Sequence, residues 1–152
     1  MFRFEKILVP LDGSDFAERA IDPAMGIAAS MEAELVLFRV AQPIPRTRAL
    51  AEMPDVYNEV VAATFREAED YLNHLCKTLP YDRITTEHRA AEEGVARQIV
   101  DYAVEAGVDL VVMSSHGRTG VGRWVHGSVT EKVLGSCGCN TLVIRSRGER
   151  ST

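Results

Sequence analysis

Lys6-Ile7-Leu8-Val9-Pro10-Leu11-Asp12-Gly13-Ser14 is a short apolar run that stops at a turn signal. Such a run reads as a buried strand. Pro10 stands near its end, where a missing ladder donor is tolerated. The same kind of run recurs along the chain. Glu34-Leu35-Val36-Leu37-Phe38-Arg39-Val40, Leu110-Val111-Val112-Met113 and Thr141-Leu142-Val143-Ile144 are further strands. Ile84, Thr86, His88 and Ala90 alternate with polar neighbours in another. Helical spacing fills the gaps between strands. Ala17, Ala20, Ile21, Ala24 and Ala28 share a face behind Asp15 and Glu18, which have capping-box spacing. Pro23 and Gly26 lie inside this helix and should kink or weaken it. Residues 41–54, with Pro43, Pro45 and Pro54, read as a loop. Tyr57, Val61, Thr64, Ala68, Leu72, Leu75 and Leu79 mark a long helix that ends at Pro80. Gly94 opens a helix through Ala96, Ile99, Val100 and Ala103, and Gly107 closes it. Val129, Val133 and Leu134 sit on a short final helix. This α/β alternation predicts an open, five-stranded parallel sheet with helices on both faces. Ligands on such sheets bind beyond the strand carboxyl ends, at the topological switch point.

No linker or repeat divides the 152 residues, so one domain is expected over residues 1–152. Hydrophobic residues make up 46% and charged residues 26%, which excludes intrinsic disorder. The net charge of −5 argues against a nucleic-acid partner held through phosphates. Three cysteines make no disulfide framework. Runs such as Leu110 to Met113 are too short to span a bilayer, so no membrane partner is expected. The opening Met1-Phe2-Arg3-Phe4-Glu5-Lys6 has no signal-peptide character. A reducing, cytoplasmic setting is the expectation.

The familiar phosphate signatures are missing. One glycine, Gly13, follows the first strand, which is not the dinucleotide fingerprint, and no P-loop pattern occurs. The glycines gather instead after the fourth strand, in residues 114–130. Gly117, Gly120, Gly122 and Gly127 alternate there with Arg118, Arg123, Ser128 and Thr130, without any acid. Glycines let backbone N–H groups approach an anion closely. The segment then runs into a helix at Gly127-Ser128, whose free N–H groups and dipole favour phosphate. Two readings fit: an anion cradle, or a Gly-rich connection with two solvated arginines.

The segment from Val111 to Val133 resembles the universal stress proteins. Their nucleotide-binding members carry Gly-x-x-Gly, nine residues, then Gly-Ser/Thr; here Gly117 is followed by nine residues and Gly127-Ser128. Ile7 to Ser14 matches that family's first strand and turn, and Leu35 to Val40 its second strand. Two positions depart from the pattern: Ser114 stands where the first motif glycine falls, and Asn140-Thr141 where relatives often have Pro-Val. The resemblance implies a Rossmann-like fold of the adenine nucleotide alpha hydrolase kind, with strand order 3-2-1-4-5. It implies a stress-response protein that binds ATP, with Mg or Mn as a companion, and acts through conformation or partners. Pro10, Leu11 and Asp12 would line the adenosine, with the Asp12 carboxylate near the ribose hydroxyls. Val40 would offer its backbone to adenine, and Met113 and Ser114 would border ribose. Gly117, Arg118, Gly127, Ser128 and Val129 would hold phosphates. A homodimer through the last strand, Thr141 to Arg145, is also implied. The rivals are a slow ATPase or self-phosphorylating protein, and a dimeric scaffold that binds no nucleotide. No clear general base stands near a γ-phosphate, so no catalytic residue is assigned.

Other residues have plainer readings. His116 and His126 lack metal-ligand spacing and read as loop packing or phosphate contacts. No metal ligands are assigned. Cys137-Gly138-Cys139 is not Cys-x-x-Cys and reads first as buried or half-buried thiols at a helix end, with a redox or metal role as the alternative. Trp124 reads either as a partner-facing anchor or as a lid.

Overall fold

The computed structural model describes residues 1–42, 44–115 and 127–145. Five strands, β1 (Lys6–Leu11), β2 (Glu34–Ala41), β3 (Ile84–Ala90), β4 (Leu110–Ser114) and β5 (Asn140–Ile144), form one sheet in the order β3-β2-β1-β4-β5. Every pair is parallel. The strands are nearly continuous apolar runs because both faces of the sheet are covered. On one face Ile7, Val9, Leu35, Leu37 and Val112 pack against α1 (Asp15–Glu18), α2 (Ile21–Met31) and α4 (Pro54–Thr78) through Ala17, Ala24, Ala28 and Leu72. On the other, Leu8, Val36, Phe38 and Val111 pack against α5 (Val95–Glu105) and α6 (Ser128–Ser136) through Ile99, Ala103 and Val133.

The first helix differs from its expected form. It is two helices, α1 and α2, with Arg19 capping the first and Ala20 the second. The break precedes Pro23, which is the third residue of α2, where its missing N–H costs no helical bond. The N-cap is Ser14 rather than Asp15: the Ser14 hydroxyl accepts the Ala17 N–H at 3.2 Å, which leaves Asp15 and Glu18 as acids in the first turn. Within residues 41–54 a short helix, α3 (Arg48–Ala51), is capped by Thr47. The helix α4 starts at Pro54, an N1 proline, three residues earlier than the apolar spacing indicated. At the end of α5, Gly107 adopts φ +67. Val108 donates to Ala103 and Gly107 to Val104, which is a complete Schellman motif.

Among the described residues no helix is long and apolar enough to cross a membrane.

Candidate functional site

The central strand is paired unequally. With β2 it makes a six-residue register, from Lys6–Glu34 to Leu11–Arg39. With β4 the register holds only Ile7–Leu110 and Leu8–Val111, although β1 runs on to Leu11 and β4 to Ser114. The two strands therefore part toward their carboxyl ends. Pro10 contributes to this. The Glu5 carbonyl accepts from Glu34 on the β2 side, and the Lys6 carbonyl accepts from Asp109 on the β4 side. Backbone groups alternate along a strand, so position 10 turns toward β4. Proline brings no donor there, so one of the two bonds that residue 10 could add to the ladder is missing.

A cleft of about 350 Å³ opens at this parting. It lies at the switch point, where the chain has left β1 for β2 on one side and later returns to β4 on the other. Pro10, Leu11, Asp12, Val40, Met113, Ser114, Gly127, Ser128 and Val129 all line it. Gly117 and Arg118, with the rest of the Gly-rich run from His116 to His126, including Trp124, lie outside the described residues.

Each wall has a local cause. Asp12 follows β1, and its Oδ1 accepts both the Ser14 N–H at 2.9 Å and the Ser14 hydroxyl at 2.5 Å. That Asx turn holds the carboxylate at the rim while the same serine caps α1. Opposite, the Gly127 N–H donates to the Ser115 carbonyl at 2.8 Å and the Thr130 hydroxyl to the Ser114 carbonyl at 3.1 Å. These two bonds fix the start of α6 against the end of β4. Gly127 is the N-cap of α6 and offers no side-chain oxygen to its first-turn amides. The Ser114 hydroxyl reaches back to the Ala17 carbonyl at 3.5 Å.

One wall has no counterpart among the residues singled out from sequence. Arg39, only 6% exposed, lines the cleft together with Thr64 and Glu67 of α4. Its guanidinium donates to both Glu67 oxygens, at 3.0 and 2.9 Å, and lies 4.8 Å from the centre of the Tyr71 ring. The bidentate fork satisfies a charge that burial would otherwise penalise. Tyr71 donates to Glu18 at 2.7 Å; burial and then this bond raise its pKa well above the ordinary phenol value, so it stays a donor. The guanidinium also lies beneath Gly13, where a side-chain carbon would stand 3.3 Å from it and where φ is +86. The turn after β1 therefore needs glycine. The sequence does carry a signal for this wall: an arginine inside an apolar strand run must find a buried partner.

The family model described as "Universal stress protein family" matches residues 3–145. The chain is 31% identical over 143 residues to Universal stress protein MJ0531 of Methanocaldococcus jannaschii, covering 93% of this chain and 82% of the relative. A solved structure, Universal stress protein UspA from Lactobacillus plantarum, superposes with a TM-score of 0.80 at 30% identity, covering 95% of this chain and 100% of that one. Two more distant structures share the fold. One is a universal stress protein in complex with cAMP, at TM-score 0.60 and 22% identity, covering 94% of this chain and 98% of that one. The other is the universal stress protein from Archaeoglobus fulgidus in complex with dAMP, at 0.63 and 16%, covering 95% and 99%.

Proposed function

The chain belongs to the universal stress protein family, and from that premise we propose that its cleft binds an adenine nucleotide, ATP, in a stress response exerted through nucleotide-dependent conformation or partner binding. One observation carries the reading: a single cleft gathers an apolar wall, a carboxylate and the N-terminus of α6. Leu11, Val40 and Met113 suit a base and the face of a ribose. Asp12 suits the ribose hydroxyls. The first turn of α6, with the Ser128 hydroxyl, suits phosphates. Gly117 and Arg118 would join them. The cleft volume falls within the range of small-molecule sites. Adenine mononucleotides bound by two proteins of this fold point the same way. Mg or Mn would be held chiefly by the phosphates, because among the described residues no three His, Cys, Asp or Glu side chains converge.

The test is to purify the protein, release any bound small molecule and identify it, then titrate ATP calorimetrically into wild type and Gly127→Glu. Among the described residues a carbon at Gly127 would meet only the Ser115 carbonyl, at 3.6 Å, which leaves room for a side chain. Its carboxylate would stand where phosphates are proposed, and ATP binding should be lost. Unchanged affinity in the folded variant removes this loop from the site. ADP with phosphate release would indicate turnover instead, and no bound nucleotide with no heat would indicate a scaffold.

We also propose a homodimer through β5. The two edges of the sheet differ: β3 carries Glu87 and Arg89, whereas Asn140–Ile144 carries no charge and leaves Leu142 37% exposed. The Ile144 carbonyl accepts from Ser115, so residue 144 turns toward β4 and Val143 turns toward the open edge. Val143→Pro thus removes an outward donor without breaking the β4 ladder. Light scattering should give a dimer for wild type and a smaller mass for the variant. A wild-type mass of one chain over a wide concentration range rejects the dimer.

A further inference from the structure

The end of α6 holds a second chemical feature, which the cleft does not use. Cys137 caps the helix, its N–H donating to the Val133 carbonyl at 2.8 Å. Gly138 is an exposed turn residue, and Cys139 leads directly into β5. Both thiols are half-buried, packed against the cluster on the α5–α6 face, and neither is in a disulfide. Their sulfur atoms stand 2.7 Å apart. A disulfide requires about 2.0 Å, so closing the pair takes a movement of roughly 0.7 Å. The third cysteine, Cys76 on α4, has its sulfur against the Ile84 carbonyl at 3.9 Å.

We propose that Cys137-Gly138-Cys139 is a reversible dithiol–disulfide site whose oxidant is a hydroperoxide. The two sulfurs have different roles. Burial, then the adjacent Cys137 sulfur, push the Cys139 thiol up to about 12, so Cys139 keeps its proton. Cys137, 2.7 Å away, is assigned as the attacking sulfur. As thiolate it attacks the distal peroxide oxygen: an S–O bond forms and the O–O bond breaks. The alkoxide or hydroxide that leaves takes up a proton. The Cys139 sulfur then attacks the Cys137 sulfenic acid, losing its proton as the S–O bond breaks and water departs. Two thiols are oxidised to one disulfide, and the peroxide is reduced to two molecules of water or to an alcohol and water. A small dithiol restores the pair by exchange.

The test uses the reduced full chain, hydrogen peroxide, alkylation under denaturing conditions and peptide mass spectrometry. Alkylation at Cys137 and Cys139 should be lost together, the intact chain should be lighter by two hydrogens, and Cys76 should still be alkylated. Dithiothreitol should return both sites. Full alkylation at both, sulfinic acid at either, or a link to Cys76 or to a second chain overturns the proposal. The order of attack is read from serine variants. In Cys139→Ser a sulfenic acid should persist at Cys137 and be trapped by dimedone, whereas Cys137→Ser should give no adduct at Cys139. The reverse pattern overturns the assigned roles.

Discussion

The strand β1 has two sides, and they are built for different ends. Toward β2 it is laced over its whole length, with Leu35, Val36, Leu37 and Phe38 at most 1% exposed beside it. Toward β4 the lacing stops after Leu8–Val111, and the space beyond becomes a cleft. The first side converts sequence into stability, and the second gives up backbone pairing and leaves a cleft. One residue that distinguishes them is Pro10, whose missing donor points toward β4.

Four substitutions bear on this contrast. The largest effect is expected on the laced side. Leu37→Ala removes a fully buried side chain from β2, the strand between β1 and β3, and should cost about 2–5 kcal/mol in denaturant unfolding. A loss below about 1 kcal/mol would mean that this side is not where stability is concentrated. Next comes the wall shared by both. Glu67→Ala strands Arg39 in its buried position and should cost about 1–3 kcal/mol, at the lower end because the Glu67 side chain is 61% exposed and partly solvated. Arg39→Met should cost less, since the carboxylate it releases can return to water; the opposite ranking in thermal melts would contradict this account. The smallest effect on stability, under about 1 kcal/mol, is expected for Pro10→Ala, which returns one donor to the β4 side and frees the unfolded chain. It should nonetheless lengthen the β1–β4 ladder, seen as new protection of the residue 10 amide in hydrogen exchange, and weaken ATP binding severalfold. An unprotected amide and unchanged affinity would show that Pro10 does not hold the cleft open.

The fold was largely legible because its signals are local. Apolar runs such as Ile7 to Leu11 and Leu35 to Val40 announce buried strands, and the helical spacing from Tyr57 to Leu79 announces α4. The strand order was not in those patterns; it came with the family resemblance and matches the observed β3-β2-β1-β4-β5. Boundaries set by a single hydrogen bond were missed. The Ser14 hydroxyl outcompetes Asp15 as a cap, and the chain breaks its helix at Arg19 although Pro23 is the stronger local breaker. In the cleft, the residues named in advance belong to strand ends and to a glycine motif, which sequence can display. The pairing of Arg39 with Glu67 joins elements 28 positions apart and has no motif, so only tertiary structure brings it together.

The position of β1 also governs how the chain assembles. It is made first yet ends in the middle of the sheet, between a strand beginning at residue 34 and one beginning at residue 110. Once β1, β2 and β3 have paired, β1 is a temporary outer strand until the chain to Ser114 has been synthesised. Exposed strand edges of that kind are where nascent chains join one another. Pro10 faces that temporary edge, so the residue that borders the cleft in the finished protein also withholds a donor from any strand that meets the unfinished edge.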